Sequence, residues 1–435
     1  MITKRMGEAV LVSNKHILVC IDEQAAGLKP DYVKELEYVK QNFCGTVLFD
    51  MDSFNSHSCS PDTIVYLCGN IKENYNNMKD KSVLSIFVIK DFSYNYESGS
   101  DKYGLISVGQ VPINIHNVGV YFRDFFDPNN DYFSLISSAH RFQTLTESNK
   151  ASNAFRTGIY LTKVEEVADE VKFNLLRCSS NLDGPTDNFR AVDNEVVGLV
   201  NGISDRFFEE KAELNHVLAQ IYENKVIDSD GKKIERKARI KGHSDKTKDM
   251  PRNGLIAFCT FYKGYSKNQF DSKELKHVKK VPVDSFDYCY NDTSVLTKIR
   301  FRLKKMVTDP SGRADDEPRF NKDFTVTLYP NSVLLISLHT NRLYTHEIVP
   351  SILPINRIPT RLGYVIRSSK TRAVFKNGQT YIVENGDHVK MEEPDENGTK
   401  QLKDKYYEEN TTDEVIHYDK FHFSLNKGDY RKPIV

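Results

Sequence analysis

Three residues in this chain have the types and the spacing to hold a redox-active metal ion. His243 and Asp245 stand two positions apart in the segment GHSDK, and His346 follows in LYTHEIV. Two imidazoles and one carboxylate on one side of iron(II) leave the opposite positions open for oxygen and a cosubstrate. A His-x-Asp pair at a strand end suits this role because alternate side chains point the same way. The sequence therefore predicts an oxygenase-type metal site on these three residues, the metal triad.

A His-x-Asp tripeptide carries little weight by itself. The chain has 12 histidines, and a second copy of the tripeptide begins at His417. The alternative interpretation of the first pair is a loop histidine beside a turn-forming aspartate, and His346 alone is consistent with an ordinary core or surface histidine. What distinguishes the first pair is Arg361, fifteen positions after His346. Its guanidinium could form a two-point salt bridge to the distal carboxylate of 2-oxoglutarate. We interpret His417 as a surface residue because no such arginine follows it.

Four segments between residues 117 and 370 resemble the AlkB family of iron(II)/2-oxoglutarate-dependent dioxygenases. In LNHVLAQIYEN, Tyr222 matches the tyrosine that contacts 2-oxoglutarate, and Gln220 stands where asparagine is usual. HSDKTKDMPRNGLIAFCTF resembles the His-x-Asp segment with its following apolar strand, and LLISLHTNRLYTHEIVP resembles the strand pair with the second histidine. RLGYVIR has the two arginines six positions apart, Arg361 and Arg367.

The resemblance implies that the metal triad binds Fe(II) and that 2-oxoglutarate and O2 are cosubstrates. Arg361 would bind the distal carboxylate of 2-oxoglutarate, Tyr222 would hydrogen-bond this cosubstrate beside Gln220, and Arg367 would act in both cosubstrate binding and catalysis. The implied reaction is hydroxylation of a substrate carbon. On an N-methyl group of a nucleic-acid base, the product loses formaldehyde, which amounts to oxidative demethylation. The alternatives are a protein side-chain or thymine-methyl hydroxylase, and a non-catalytic binding or scaffold protein.

The substrate-side features are a basic run and a candidate lid. KKIERKARIKGHSDKTK leads into the metal triad and is consistent with a nucleic-acid substrate, since clustered lysine and arginine neutralise phosphates. The alternative is a solvated lysine-rich hairpin. LLRCSSNLDGPTDNFR lies where AlkB-like proteins carry substrate-recognition lids, so the lid candidates are Arg177, Asn188, Phe189 and Arg190.

The elements that must position these residues predict an α+β protein. Apolar runs such as NHVLAQIYEN, GLIAFCTFY and VLTKIRFRL, separated by turns, indicate an antiparallel sandwich or barrel. The resemblance implies a double-stranded β-helix, or jelly-roll, oxygenase core over residues 111–375. The sequence departs from the family pattern at two places. Gly363 or Tyr364 stands where an asparagine is usual between the two arginines. The spacer between Asp245 and His346 is long, and we interpret it as containing an insertion near 263–322.

Two further segments flank this core. Residues 1–110 alternate β-branched runs with helical segments, which predicts a small parallel α/β sheet. Asp22 and Asp50 end two of its strands, where helix caps are more common than ligands; the role of this domain is open, with a protein partner as one possibility. Residues 376–435 contain three Asn-Gly pairs and predict a polar β-hairpin extension. Within it, the charged stretch beginning MEEPDENG is expected to be a mobile excursion.

Composition limits the classes of partner and compartment. The 435 residues include 60 lysines and arginines and 60 aspartates and glutamates. A chain with no net charge does not attract nucleic acid or anionic lipid through its overall electrostatic potential, so such contacts require a local basic patch. No apolar window is long enough for a membrane span. The seven cysteines show no C-x-x-C spacing, which favours a reducing intracellular compartment, cytoplasmic or nuclear.

Overall fold

The computed structural model describes residues 9–21, 30–75, 83–147, 150–178, 182–229, 231–266, 269–271, 273–275, 277–281, 284–305, 321–418 and 420–435. Strands predominate in this part of the chain. The α-helices occupy Pro30–Asn42, Met51–Ser56, Ile71–Tyr75, Tyr132–Ala139, Ala191–Phe207, Leu338–Leu343 and Glu396–Thr411. Among the described residues, no helix has the length and apolar character that crossing a bilayer requires.

A parallel sheet forms in the N-terminal segment, where the alternating apolar and helical runs predict one. Its strands in spatial order are Thr46–Leu48, His16–Ile21, Ile64–Asn70, Ser85–Tyr94 and Gly104–Ile106. Asp50 caps the helix Met51–Ser56, since its carboxylate accepts a hydrogen bond from the Ser53 amide at 2.6 Å. This bond satisfies an amide that the first helical turn leaves unpaired. Asp22 lies outside the described residues.

Two further sheets hold the predicted site residues. The mostly antiparallel major sheet has, in spatial order, Asp187–Asn188, Lys150–Thr162, His216–Tyr222, Arg361–Arg367, Leu255–Tyr262, Ser332–Ser337, Gly119–Phe122 and Ile113–Ile115, with Gln143–Glu147 paired to Lys150–Thr162. The antiparallel minor sheet has Ile240–His243, Tyr344–Val349, Lys298–Leu303 and Asp323–Thr327. One apolar cluster joins them, with Phe258 and Leu334 from the major sheet and Phe301 and Phe324 from the minor sheet. The sheets therefore pack face to face, and the specific jelly-roll topology remains a prediction.

The strand Arg361–Arg367 lies inside the major sheet and is buried on both faces. Leu362, Tyr364 and Ile366 belong to the cluster under the helices Tyr132–Ala139 and Ala191–Phe207. The alternate residues, including Val365, face the minor sheet. Because strand side chains alternate, both arginines point toward the space between the two sheets.

The predicted insertion near 263–322 contains a strand of the minor sheet. Lys298–Leu303 pairs with Tyr344–Val349, the strand that carries His346, and on its other side with Asp323–Thr327. The interpretation of 263–322 as an insertion stays a prediction; within this segment, Lys298–Leu303 is an inner strand of the minor sheet. Residues 306–320 lie outside the described part of the chain.

The C-terminal extension combines hairpins with a helix. Thr371–Lys376, Gln379–Glu384 and Asp387–Lys390 join Val164–Val167 and Glu170–Leu175 in one sheet. Asn377-Gly378 and Asn385-Gly386 form the hairpin turns, with positive φ at all four residues, as type I′ turns require.

The third Asn-Gly pair lies in the first turn of a helix, Glu396–Thr411, because the Asp395 carboxylate accepts a hydrogen bond from the Gly398 amide at 2.6 Å. The prediction of polar hairpins therefore differs from the structure over 396–411. Leu402 and Tyr406, four positions apart, are buried on one face of this helix. In the sequence, this helical spacing of two apolar residues is hard to recognise because charged residues surround them.

A buried histidine joins the helices to the outer face of the major sheet. The His140 Nδ1 lies 2.8 Å from Asp187 Oδ2, and its Nε2 lies 2.8 Å from Asp193 Oδ2. Asp193 also accepts hydrogen bonds from the Tyr364 hydroxyl and the Arg190 amide, both at 2.8 Å. Burial lowers the pKa of His140, but the two carboxylates outweigh it and raise that pKa to about 9. The ring is therefore a doubly donating imidazolium at neutral pH.

The raised pKa of His140 predicts a loss of stability at alkaline pH. Its stabilising contribution is complete below the ordinary histidine pKa of 6.5 and disappears as pH rises through about 9. We expect the free energy of unfolding to fall by on the order of 2 kcal/mol across this interval from this group. Urea unfolding at pH 6.5, 8 and 9.5 measures the slope. His140→Gln should flatten it and His422→Gln should not; equal slopes in all three proteins would contradict the assignment.

Candidate metal centre

The metal triad converges at the edge of the minor sheet. The strands Ile240–His243 and Tyr344–Val349 place His243 directly opposite His346, and their ring centroids are 4.5 Å apart. Asp245 follows two residues later, and the donor atoms of the three residues lie within 4.8 Å of one another. Two imidazoles and a carboxylate at this spacing match the donor set of non-haem iron(II) centres.

Each of the two histidines has a ring nitrogen that no hydrogen bond occupies among the described residues, as a metal ligand requires. The His243 Nδ1 lies 2.9 Å from the Lys241 carbonyl oxygen. A carbonyl only accepts, so Nδ1 carries the proton and the lone pair is on Nε2, which lies 3.7 Å from Asp245 Oδ1. His346 is 5% exposed, and its Nδ1 has no hydrogen-bond partner among the described residues. A buried polar atom without a partner is uncommon in proteins, and a bound ligand is one of its ordinary explanations.

The electrostatics set the protonation states that a metal requires. Burial lowers the pKa of His346 to about 3, with the neighbouring His243 adding to the effect. His243 keeps 34% of its side chain exposed, and burial also lowers its pKa below the ordinary histidine value. Burial alone would raise the pKa of Asp245, but Arg367 and both histidines outweigh it and hold that pKa below its ordinary value. At neutral pH both imidazoles are unprotonated and the carboxylate is ionised, so all three can donate electron pairs.

Arg367 forms an ion pair with the carboxylate of the metal triad. Its Nε lies 3.0 Å from Asp245 Oδ2, and its Nη2 donates to Oδ1 at 3.4 Å. Both side chains are more than nine-tenths buried. The guanidinium therefore fixes the orientation of Asp245. The resemblance implies a role for Arg367 in cosubstrate binding and catalysis, and the structure brings Arg367 against a predicted metal ligand.

Arg361 occupies a different part of the same sheet face. It is 4% exposed, and its Nε and Nη2 have no hydrogen-bond partner in the described part of the chain. The guanidinium carbon lies 3.9 Å from the centre of the Tyr222 ring. The Tyr222 hydroxyl donates to Gln220 Oε1 at 3.1 Å. Together with Asn224 and Lys237, Tyr222 and Arg361 line a pocket, in which a buried cation requires an anion.

Gly363 leaves room for the Arg361 guanidinium. A Cβ at this position would lie 2.8 Å from Arg361 Nη1 and 3.2 Å from the Tyr222 ring. Glycine thus permits the arginine to fold back over its own strand and stack on the tyrosine. An asparagine here would displace the guanidinium.

The lid candidates do not form one group. Arg177 is buried, and its Nη2 lies 2.7 Å from Oδ1 of Asp249, four residues after Asp245. Arg190 belongs to the His140 network on the outer face of the major sheet, where it pairs with Asp187 at 2.7 Å. The Asn188 side chain donates to the Val164 carbonyl, and Phe189 packs against the outer apolar cluster. Residues 179–181 lie outside the described residues, and the lid role stays a prediction.

The basic run divides into two environments. Lys232, Lys233, Arg236 and Arg239 are exposed on and after the hairpin Lys225–Ser229 and Lys232–Arg236. Lys246 and Lys248, which follow the metal triad in sequence, are instead buried. The first group and Lys241, which is also exposed, are available to contact a polyanion.

Sequence reasoning missed the residues that hold and cover the metal triad. Asn341 Oδ1 accepts from the Asp245 amide and its Nδ2 donates to the Asp245 carbonyl, both at 2.9 Å. The rings of Phe258 and Phe301 lie 5.2 and 6.0 Å from His346. Asn341 stands five positions before His346 in a short helix, and nothing in its sequence neighbourhood signals the contact.

Comparison with known proteins gives little guidance. No protein-family model matches this chain, and no curated protein does. Among solved structures, a bsmA homolog from Methylobium petroleophilum PM1 is similar over 55% of this chain and 80% of its own, with 9% identity and a TM-score of 0.22. So distant a similarity supports no inference about fold or function.

The geometry predicts which histidines bind metal. His243→Ala and, separately, His346→Ala should weaken Co(II) binding by more than the roughly 10–100-fold typical of outer-shell substitutions, because each removes a ligand. His417 is exposed, so His417→Ala should leave the affinity unchanged. Titration of Co(II) with its visible absorption spectrum measures all three. An equal loss in the His417 variant would show that the wrong histidines have been identified.

Proposed function

We propose that this protein is an AlkB-like Fe(II)/2-oxoglutarate-dependent dioxygenase. The observation that carries the proposal is the combination of the metal triad with Arg361, a buried cation that pairs with no carboxylate in the described residues. The donor set suits Fe(II). The unpaired guanidinium suits a carboxylate in the same space between the sheets.

The roles of the cosubstrate residues follow from their contacts. Arg361 would receive the distal carboxylate of 2-oxoglutarate, held in place by its stacking on Tyr222. The Tyr222 hydroxyl, now bonded to Gln220, would be available to turn toward that carboxylate. Arginine side chains are cationic at neutral pH in proteins. This favours an anion that is itself always ionised at neutral pH.

The remaining residues hold the metal ligands in a usable state. Bound Fe(II) and 2-oxoglutarate would together supply the oxidising power, taken from O2, that hydroxylates a substrate carbon. Arg367 keeps the Asp245 carboxylate ionised and oriented. The Lys241 carbonyl keeps the His243 proton on Nδ1. Phe258 and Phe301 limit access of water to His346.

For the substrate we propose an N-alkylated base of nucleic acid, demethylated by hydroxylation and loss of formaldehyde. The exposed basic hairpin that precedes the metal triad in sequence supports a polyanionic substrate. The proposed setting is the cytoplasm or nucleus, with a protein partner for the N-terminal sheet as a further possibility. A protein side-chain or thymine-methyl hydroxylase would use the same iron centre, and a scaffold protein would use none.

Arg361 provides a test of the cosubstrate. Arg361→Met should weaken 2-oxoglutarate binding by at least about 30-fold, since truncating one partner of a buried charge pair typically removes about 2 kcal/mol or more. Arg372, exposed on the strand Thr371–Lys376, provides the matched control, and Arg372→Met should bind as the parent does. Calorimetric titration of 2-oxoglutarate into Mn(II)-loaded protein measures the affinity. Equal affinities in the two variants would rule out Arg361 as the anchor.

Product analysis tests the reaction and its substrate. With Fe(II), 2-oxoglutarate and O2, the protein should form succinate, and with N-methylated DNA or RNA oligonucleotides it should release formaldehyde in equal amount. An Asp245→Ala variant should form neither. Succinate without formaldehyde, across all methylated bases, would favour the protein or thymine-methyl substrate. No succinate and no bound iron would leave the scaffold interpretation.

A further inference from the structure

The segment that carries Asp245 is buried but has no regular structure. Residues 244–249, the ligand loop, connect the strand Ile240–His243 to the strand Leu255–Tyr262 and belong to neither. Ser244 and Asp249 are each 1% exposed, and Asp245 is 6% exposed. Buried backbone amides outside helices and sheets need other partners. Their partners therefore determine where the ligand loop, and with it the Asp245 carboxylate, is held.

Side chains from two distant segments supply these partners. Asn341 binds both backbone groups of Asp245, as described above. The amides on either side are bound by the C-terminal helix, Glu396–Thr411. Asn410 Oδ1 accepts from the Ser244 amide at 2.8 Å, and Glu409 Oε1 accepts from the Thr247 amide at 3.0 Å. The Thr247 hydroxyl also donates to the Glu409 carboxylate.

The C-terminal helix is itself anchored to both sides of the metal triad. Lys246 of the ligand loop donates from Nζ to the Tyr406 carbonyl at 2.8 Å. Lys304, which directly follows a minor-sheet strand, donates from Nζ to the Glu409 and Thr412 carbonyls at 2.6 and 3.1 Å. A lysine at these carbonyls satisfies acceptors that a helix end leaves unpaired.

We propose that the C-terminal helix is a working part of the metal centre, with Asn410 and Glu409 as positioning residues for the metal ligands. Asn410 binds the residue between His243 and Asp245, and Glu409 binds the loop two residues beyond Asp245. Together with Asn341 they hold the ligand loop from both sides, so that the carboxylate meets the two imidazoles before any metal arrives. The inference rests on the metal site of the proposed function.

The chemistry of Asn410 explains why an amide oxygen suits this position. The Ser244 amide lies just past the end of the strand Ile240–His243, and Asn410 Oδ1 is its acceptor. An alanine would leave that buried donor unpaired, and the ligand loop would relax to recover a partner. Because metal affinity depends on a preformed ligand set, outer residues of this kind typically contribute about 10–100-fold.

The test compares three variants of the full chain. Asn410→Ala removes the acceptor, Asn410→Asp retains an oxygen at the same position, and Glu408→Ala alters the adjacent helix residue, whose side chain pairs with Lys405 at 3.2 Å within the helix. Co(II) affinity and the visible cobalt spectrum report on the ligand geometry. Amide hydrogen exchange over residues 241–250 of the metal-free protein reports on the ligand loop independently of any metal.

The expected result is specific to one variant. Asn410→Ala should bind Co(II) at least about 10-fold more weakly, with a changed spectrum and faster exchange in the ligand loop. Asn410→Asp and Glu408→Ala should match the parent in all three measurements. If Asn410→Ala does not fold, Thr247→Val serves in its place, because it removes only the hydroxyl that donates to Glu409 and should weaken Co(II) binding by about 3-fold or more.

Two outcomes overturn the inference. One of them leaves the proposed dioxygenase function standing, and the other overturns that function as well. Parent-like Co(II) affinity, spectrum and exchange in Asn410→Ala would show that the helix merely covers the site, and the proposed dioxygenase function would stand. A parent protein that binds no Co(II) or Fe(II) would overturn both the metal site and the role of the helix.

Discussion

The pairing of Ile240–His243 with Tyr344–Val349 is the constraint on which the candidate site depends. Ile240 stands opposite Ile348, but His243 stands opposite His346, so the register shifts by one residue between the two pairs. Without this bulge His243 would face Thr345, and the two imidazoles would point to opposite sides of the sheet. His346 is directed inward because it also stands opposite Phe301, a residue of the apolar cluster between the sheets. One local irregularity therefore decides whether a metal-binding group exists.

Three charged side chains, those of Asp245, Arg361 and Arg367, lie in the space between the two sheets. Asp245 and Arg367 form an ion pair that keeps the carboxylate ionised in a buried position. Arg361, six residues earlier on the same strand face, stacks on the Tyr222 ring and has no ion pair among the described residues. Burying a permanent cation without a carboxylate is unfavourable unless an anion arrives with the ligand. The contrast between the paired and the unpaired arginine is what favours an anionic cosubstrate over a purely structural role for both.

Polar side chains from outside the two sheets complete the site. The ligand loop has no sheet partners, and Asn341, Glu409 and Asn410 replace them. The C-terminal helix reaches this position because Leu402 and Tyr406 bury one face while Lys304 binds its last carbonyls. A segment with the composition of a solvated excursion thus buries one face against the rest of the protein. Its own contacts to the ligand loop come from the side chains of Glu409 and Asn410.

Local patterns alone determined much of the architecture. The parallel N-terminal strands and the strands His216–Tyr222 and Leu255–Tyr262 follow from apolar runs in the sequence, and strand alternation puts Arg361 and Arg367 on one face. Only the tertiary structure decided that His243 and Asp245 meet His346, because that contact depends on a bulge and on pairing across about a hundred residues. The roles of Asn341 and Asn410 were equally hidden, since a polar side chain acquires a specific partner only when distant backbone is brought to it.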